Sequence, residues 1–425
     1  MAASLIFGLA PAWRASRPAL SAVLGDGARG SMAPGRRRLA DALVVGEVAL
    51  ASTLLVGTAL FLGSFIRVMN VDLGIDREGV LNFQARLPRT TGTSAERLAT
   101  AHQAIGGILD RVRAMPGVVS AAALQNGLPM SGGRARYSVE VAGRPSPFEG
   151  DDLADGHFVT PDYFRTLRIT LLQGRTFTQD DRAASPRVVI LNAEAARRYF
   201  GGRDPIGAKV STGPGENTVI GIVATVRLTG PEGPARPEVY WPFAQGSSTF
   251  SETVARVAAD PAATIAALPS LAPLLLDGKP PVVKTLDESF ARLTAERRFN
   301  STLMVALGAL ALLIAAIGVY GMMAAVSVQR TPEIAVRVAL GATPAAIRGM
   351  LLRHAGALVV CGSGIGLLLA WMLSRFVAAA LFGVQPHDGV VYAAAIGVTV
   401  LAGVAARLVP AIRASRLDPI VALRQ

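Results

Sequence analysis

Cysteine and lysine are nearly missing from this chain of 425 residues. Cys361 stands alone, and Lys209, Lys279 and Lys284 are the only lysines among 42 basic residues. One cysteine excludes an internal disulfide, and inside an apolar stretch Cys361 reads as a small buried hydrophobe. Any exported part must therefore be held together by its own core. The four histidines, His102, His157, His354 and His387, are scattered and give no His-Glu-x-x-His zinc spacing. A Gly-x-x-x-x-Gly-Lys-Ser/Thr phosphate loop is also missing, since proline follows Gly278-Lys279. Ser363 lacks the Gly-x-Ser-x-Gly elbow. Asp151, Asp152 and Asp155 lack the spacing of an Asp-x-Asp-x-Asp-Gly loop and read as a solvated loop rather than a cation site. These absences argue against an enzyme, and no catalytic, cofactor or metal residue is assigned.

Four long apolar stretches are present, at roughly 43–66, 300–328, 355–374 and 389–410. About 20 apolar residues at 1.5 Å rise match a hydrocarbon core of about 30 Å, so each stretch has the length of a membrane span. A polar block of residues 67–298 separates the first from the other three. The net charge of +12 does not mark a nucleic-acid surface, because that block holds 27 basic and 24 acidic residues. The remaining excess lies beside the apolar stretches: Arg36–Arg38, then Arg330, Arg337, Arg348 and Arg353, then Arg407, Arg413, Arg416 and Arg424. If each stretch spans once, all three clusters share one side. The positive-inside tendency makes that side cytoplasmic, so both termini are cytoplasmic and residues 67–298 are exported.

The expected fold class is membrane α-helical with four transmembrane helices, plus an α+β extracytoplasmic domain between helices 1 and 2. In the outer block, strands are expected at Val80–Leu87, Val118–Leu124, Arg187–Asn192, Thr218–Val226 and Val282–Thr285, with an outer strand at Tyr137–Val141. Helices are expected at Ser94–Ala114, ended by Met115-Pro116-Gly117, and at Glu194–Phe200. A further helix from Asp287 meets no breaker before Phe299 and is expected to run unbroken into the second span. At the start, Pro11-Ala12-Trp13-Arg14-Ala15-Ser16-Arg17 matches Pro410–Arg416 at six of seven positions. Residues 1–24 are therefore read as the remnant of a preceding repeat, and the Gly/Ser/Pro-rich stretch 25–42 as a basic cytoplasmic linker.

The strongest motif is the loop Arg330-Thr331-Pro332-Glu333-Ile334-Ala335-Val336-Arg337-Val338-Ala339-Leu340-Gly341-Ala342-Thr343. Pro332 suits a first helical position, Glu333 favours the positive end of the dipole, and Gly341 stops the helix before Pro344 begins the next segment. This is a short amphipathic helix on the cytoplasmic face. Its two readings are a helix lying in lipid headgroups and a docking element for a cytoplasmic partner. The docking reading rests on Glu333, Ile334, Arg337, Val338, Leu340 and Gly341.

That loop resembles the signature of the FtsX-like/MacB-type ABC transporter permease family. The outer block resembles the MacB-like periplasmic core domain through Thr160-Pro161-Asp162-Tyr163-Phe164-Arg165-Thr166-Leu167, Leu172–Phe177, Val189–Tyr199 and Asp204-Pro205-Ile206-Gly207. The order of segments resembles the second half of an acidobacterial-type duplicated permease. The resemblance implies residues 67–298 as the periplasmic core and 299–425 as the FtsX-like permease domain in a bacterial inner membrane. It further implies a separate ABC ATPase subunit, a second permease copy or half, and a periplasmic adaptor or outer-membrane channel. Function would then be efflux, export or mechanotransmission, with ATP-driven movement carried to the outer domain by stiff helices.

The alternative is a non-transporting membrane scaffold or sensor that regulates an envelope partner such as a cell-wall hydrolase. A secondary transporter would carry charged residues at mid-membrane, and these spans hold few. Glu47 lies near a span end and reads as a shallow carboxylate that reaches the interface. Gly362-Ser363-Gly364-Ile365-Gly366 contains the Gly-x-x-x-Gly spacing that permits close helix contact, a weak signal in such Gly/Ala-rich spans.

Overall fold

A computed structural model describes residues 34–86, 91, 93–130, 135–141, 153–213, 215–246, 250–258, 261–275, 278–329, 337, 340 and 342–414. The expected repeat remnant at 1–24 lies outside these residues. The chain divides into two compact units, one of residues 1–65 with 299–425 and one of Ile66–Arg298.

Among the described residues, four helices are long and apolar enough to cross a membrane. The candidate spans are Arg38–Met69, Ala295–Val326, Gly356–Ala380 and Gly389–Ala406. They belong to helices that we number α1 (Pro34–Met69), α7 (Ala295–Gln329), α8 (Pro344–Val377) and α9 (Gly389–Ala414). The end of the expected linker is already helical, because α1 starts at Pro34, a residue suited to a first helical turn. Val44, Val48 and Ala51 of α1 pack with Ala315, Val319 and Val359. Val56 and Leu60 pack with Ala370, Val384 and Ala395. Polar side chains lock α1 in register: Thr58 Oγ1 donates to Met304 O at 2.7 Å and Thr53 Oγ1 to Gly366 O at 3.0 Å. Bonds of this kind between spans contribute about 1 kcal/mol each, since no water competes for the acceptor.

Among its described residues, the second unit has twelve strands. They are β1 (Val80–Arg86), β2 (Val118–Gln125), β3 (Arg136–Tyr137), β4 (Val139–Val141), β5 (Ala154–Val159), β6 (Leu171–Gly174), β7 (Val188–Asn192), β8 (Lys209–Thr212), β9 (Gly215–Val223), β10 (Glu238–Pro242), β11 (Phe250–Val257) and β12 (Val283–Thr285). The main path runs β12-β1-β11-β2-β5-β10-β7-β9-β8-β4, with β3 on β5 and β6 on β9. The expected outer strand at 137–141 is therefore two short strands, and β4 forms one edge.

Side-chain alternation along the strands feeds both faces. On one face lies α2 (Ser94–Arg113), whose Ala101, Ile105, Ile108, Leu109 and Val112 recur at helical spacing and bury against Leu81, Phe83, Ala121 and Ala255. A capping box starts this helix, with Thr93 accepting from the Glu96 amide and Glu96 accepting from the Thr93 amide. On the opposite face, α3 (Tyr163–Leu167) places Tyr163, Phe164 and Leu167 against Val80, Ala122 and Val254. A third cluster sets Tyr199 and Phe200 of α4 (Ala193–Phe200) against Leu191, Val219 and Trp241. Gly156 is required beneath that tryptophan, because a Cβ there would lie 2.6 Å from the Trp241 ring. The short helix α5 (Ala262–Ala267) follows β11.

The helix expected to run unbroken from Asp287 is interrupted. It forms α6 (Leu286–Leu293), ends at Thr294 with φ −98° and ψ 0°, and resumes as α7 at Ala295. Thr294 Oγ1 donates to Phe290 O at 2.9 Å, a back-bond that competes with the helix and bends it. The ladder still brackets the joint, with Thr294 N to Phe290 O at 3.0 Å and Arg298 N to Thr294 O at 2.9 Å. The joint is a local distortion, and no proline or glycine announces it.

Candidate functional site

Of the six docking residues, Arg337 and Leu340 are described; Glu333, Ile334, Val338 and Gly341 lie outside the described residues. Arg337 is helical and exposed, and Leu340 is 82% exposed in the following turn. The Ala342 amide donates back to Arg337 O at 2.9 Å. Thr343 then caps α8, its side chain accepting from Ala346 N, with Pro344 at the first helical position. Local chemistry thus produces a helix end, a cap and a new span within a few residues, with an apolar side chain left in solvent.

Within the membrane unit, the Gly-x-x-x-Gly spacing is used inside the chain. A Cβ on Gly362 would meet Val45 O at 2.8 Å and Val48 Cβ at 2.8 Å, and one on Gly366 would meet Ser52 Cβ at 2.7 Å. These glycines let the backbones of α1 and α8 approach closely. Because they occupy the packed face, Cys361 points the other way and is exposed, not buried as expected. Glu47 also departs from its expected place. Its carboxylate lies against Gly318 of α7, and its Oε2 is buried with no hydrogen-bond partner among the described residues. Small residues on α7 admit the side chain between helices, so it does not reach outward.

The outer domain holds a buried polar group that the sequence did not reveal. Asp155 sits in β5, fully buried, in place of the expected solvated loop; Asp151 and Asp152 lie outside the described residues. Parallel pairing sets Glu238 of β10 opposite Asp155. The Tyr240 hydroxyl donates to Glu238 Oε2. Asn192 accepts from the amides of Ala195 at 2.8 Å and Glu238 at 3.0 Å, and donates to Arg236 O at 2.7 Å. Burial, and then the Asp155 charge, push the Glu238 carboxyl well above the usual range. Burial also pushes the Tyr163 and Tyr240 hydroxyls up, and lowers His157 to about 4. His157 is thus a neutral ring in a core strand. Among the described residues, no three His, Cys, Asp or Glu side chains converge as a metal site.

Elsewhere in this unit several charges are paired. Arg175 holds Asp181 at 2.9 and 3.0 Å, and that contact lowers the carboxyl. Arg256 binds the carbonyls of Thr166, Glu78 and Asp76 at 2.6–2.8 Å and the Asp76 carboxylate at 3.3 Å. It ties β11 to the segment that leads in from α1. These contacts brace the fold.

Four membrane-length helices interrupted after the first by an α+β domain define a multi-pass membrane protein of permease type. Residues 42–271 match the MacB-like periplasmic core domain, and residues 305–419 match the FtsX-like permease C-terminal domain. The chain belongs to the FtsX-like/MacB-type family of ABC transporter permeases. Relatives include a macrolide export ATP-binding/permease protein MacB of Chromobacterium violaceum, 29% identical over 62% of this chain and 42% of that one. Another is the ABC transporter permease YknZ of Bacillus subtilis, 27% identical over 68% of this chain and 72% of that one. The chain thus spans less than half the length of the MacB relative. Among solved structures, the periplasmic region of MacB from Actinobacillus actinomycetemcomitans aligns with 52% of this chain and 94% of its own, at 18% identity and a TM-score of 0.36. The extracellular domain of YknZ aligns with 48% and 98%, at 18% identity and a TM-score of 0.32.

Proposed function

We propose that the chain is the permease subunit of a MacB-type ABC system in a bacterial inner membrane. Both termini face the cytoplasm and residues 67–298 face the periplasm. A separate ABC ATPase docks on the Glu333–Gly341 segment, and its cycle moves the periplasmic domain, for efflux, export or mechanotransmission. A second permease copy or half, and a periplasmic adaptor or outer-membrane channel, complete the assembly. The observation that carries this reading is the exposed helix end at Leu340, closed by the Arg337–Ala342 bond, in a basic loop between two spans. The sequence supplies no phosphate loop of its own, whereas the MacB relative is described as a combined ATP-binding/permease protein.

The test is capture of an ATPase with the full chain from detergent-solubilised membranes. Apolar side chains contribute about 1.5–3 kcal/mol each when buried at an interface, so Ile334→Asp with Val338→Asp should abolish capture while the chain still inserts. Arg337→Glu should weaken it less, because a rim charge adds mainly orientation. Full capture by the double variant would mean that the segment lies in headgroups and that docking occurs elsewhere.

A further inference from the structure

A cleft of about 580 Å³ opens on the β12-β1-β11 side of the outer domain, within the size range of small-molecule sites. Strand register explains its polar lining. Asn82, Gln84 and Arg86 alternate onto one face of β1, where Lys284 of β12 lies opposite Asn82 and Glu252 of β11 opposite Gln84. The facing wall is α6: Leu286 and Phe290 point into the core, while Arg292 and Leu293 line the cleft.

The charge in this cleft is mostly of one sign. Arg86, Lys279, Lys284 and Arg292 all line the cleft, and among the described residues none forms an ion pair. Two of the chain's three lysines are in this set. Against four cations stands one acid, Glu252, which accepts from the Leu128 amide at 3.0 Å. Burial raises this carboxyl's pKa, against the Leu128 amide and the Lys284 charge, which lower it. The Asn82 side-chain oxygen is buried without a hydrogen-bond partner among the described residues, an acceptor that the anionic head itself does not satisfy.

Apolar surface shares the same space. Met130 and Leu275 are buried at the lining, while Val282 and Leu293 are 76% and 46% exposed. An inorganic anion would use the cations and leave this surface wet. A neutral hydrocarbon would use the surface and leave the cations uncompensated. We propose that this cleft binds an anionic amphiphile, a small molecule with a phosphate or carboxylate head and an apolar chain. The head sits among Arg86, Lys279, Lys284 and Arg292, where guanidinium groups supply paired donors. The chain lies along Met130, Leu275, Val282 and Leu293. Binding here does not depend on ATPase docking, so failure of one reading leaves the other intact.

The experiment uses the full chain in phosphatidylcholine nanodiscs, with decyl phosphate carrying a photoreactive diazirine at its chain end. Labelled peptides are mapped by mass spectrometry. Saturable labelling is expected in the peptides that carry Met130, Leu275, Val282 and Leu293, blocked by excess decyl phosphate but not by equal decanol or inorganic phosphate. Lys279→Glu with Lys284→Glu should cut that labelling at least tenfold while labelling of the spans stays constant. Lys279→Gln with Lys284→Gln, a milder pair at exposed positions, should cut it severalfold with unchanged Trp241 fluorescence. Labelling confined to the spans would overturn the proposal, as would full labelling in both lysine pairs. Equal protection by decanol would remove the anion requirement, and equal protection by phosphate the chain requirement. Better protection by hexaglutamate would make the occupant an acidic peptide, and the amphiphile assignment would be wrong.

Discussion

His157 and Glu238 lie in adjacent core strands and respond to acid in opposite directions. An exposed histidine titrates near 6.5, whereas burial holds His157 at about 4. The unfolded chain therefore takes up that proton first as pH falls, and the stability contributed by the neutral buried ring is present above about 6.5 and lost towards 4. Between pH 7 and 5 the linkage relation gives a loss of about 2 kcal/mol from this one ring. Glu238 has its native affinity raised, so the folded state holds a proton that the unfolded carboxyl has released. Its contribution falls as pH rises through the native value, and grows on acidification. The two effects offset each other in the natural chain. Glu238→Gln removes the opposing effect and keeps an acceptor for the Tyr240 hydroxyl. That variant should lose stability from pH 7 to 5, and adding His157→Gln should abolish about 2 kcal/mol of the loss. The difference between the two variants cancels the other titrating groups, including His102, whose affinity burial also lowers. Urea unfolding of the full chain in nanodiscs reports it, followed by Trp241 fluorescence with Trp13 and Trp371 replaced by phenylalanine. Equal pH slopes in the two variants would refute the reasoning.

Topology is checked by thiol labelling in a Cys361→Ser background. Ala95→Cys should react with an impermeant reagent in intact cells and Ser31→Cys only after lysis, and the reverse pattern would exclude a periplasmic 67–298 block. Gly366→Leu should force α1 and α8 apart and lower the detergent melting temperature by several degrees, because overpacking costs about 1–3 kcal/mol. Gly364→Leu, where a Cβ meets nothing within 4 Å, should not, and equal losses would show that the contact is unimportant. A Gly-Gly insertion after Arg298 should uncouple ATPase turnover from outer-domain movement, read by a distance probe in that domain. Thr294→Ala, which removes the back-bond to Phe290, should stiffen the joint and leave coupling intact. Unchanged coupling after the insertion would rule out a mechanical role for the α6–α7 path.

The four spans and the class of the outer domain were legible in the sequence because each follows from local pattern. An apolar run of span length needs no partner to declare itself, and α2 announces itself through its helical stripe and Pro116-Gly117 stop. The start of α8 at Pro344 was legible for the same reason. Strands β5, β10 and β11 were not legible. They carry Asp155, His157, Glu238 and Glu252, polar residues that pairing from distant segments draws into the sheet. Only tertiary structure placed Glu47 against Gly318, turned Cys361 outward and made Gly362 and Gly366 an internal contact. The cleft lined by four cations is likewise a product of register, since Arg86, Lys284 and Glu252 are separated by up to about two hundred residues and meet only when β1 pairs with β11 and β12. Local sequence determines what a segment is able to become, and burial of a charge or a glycine is decided by whichever distant backbone packs over it.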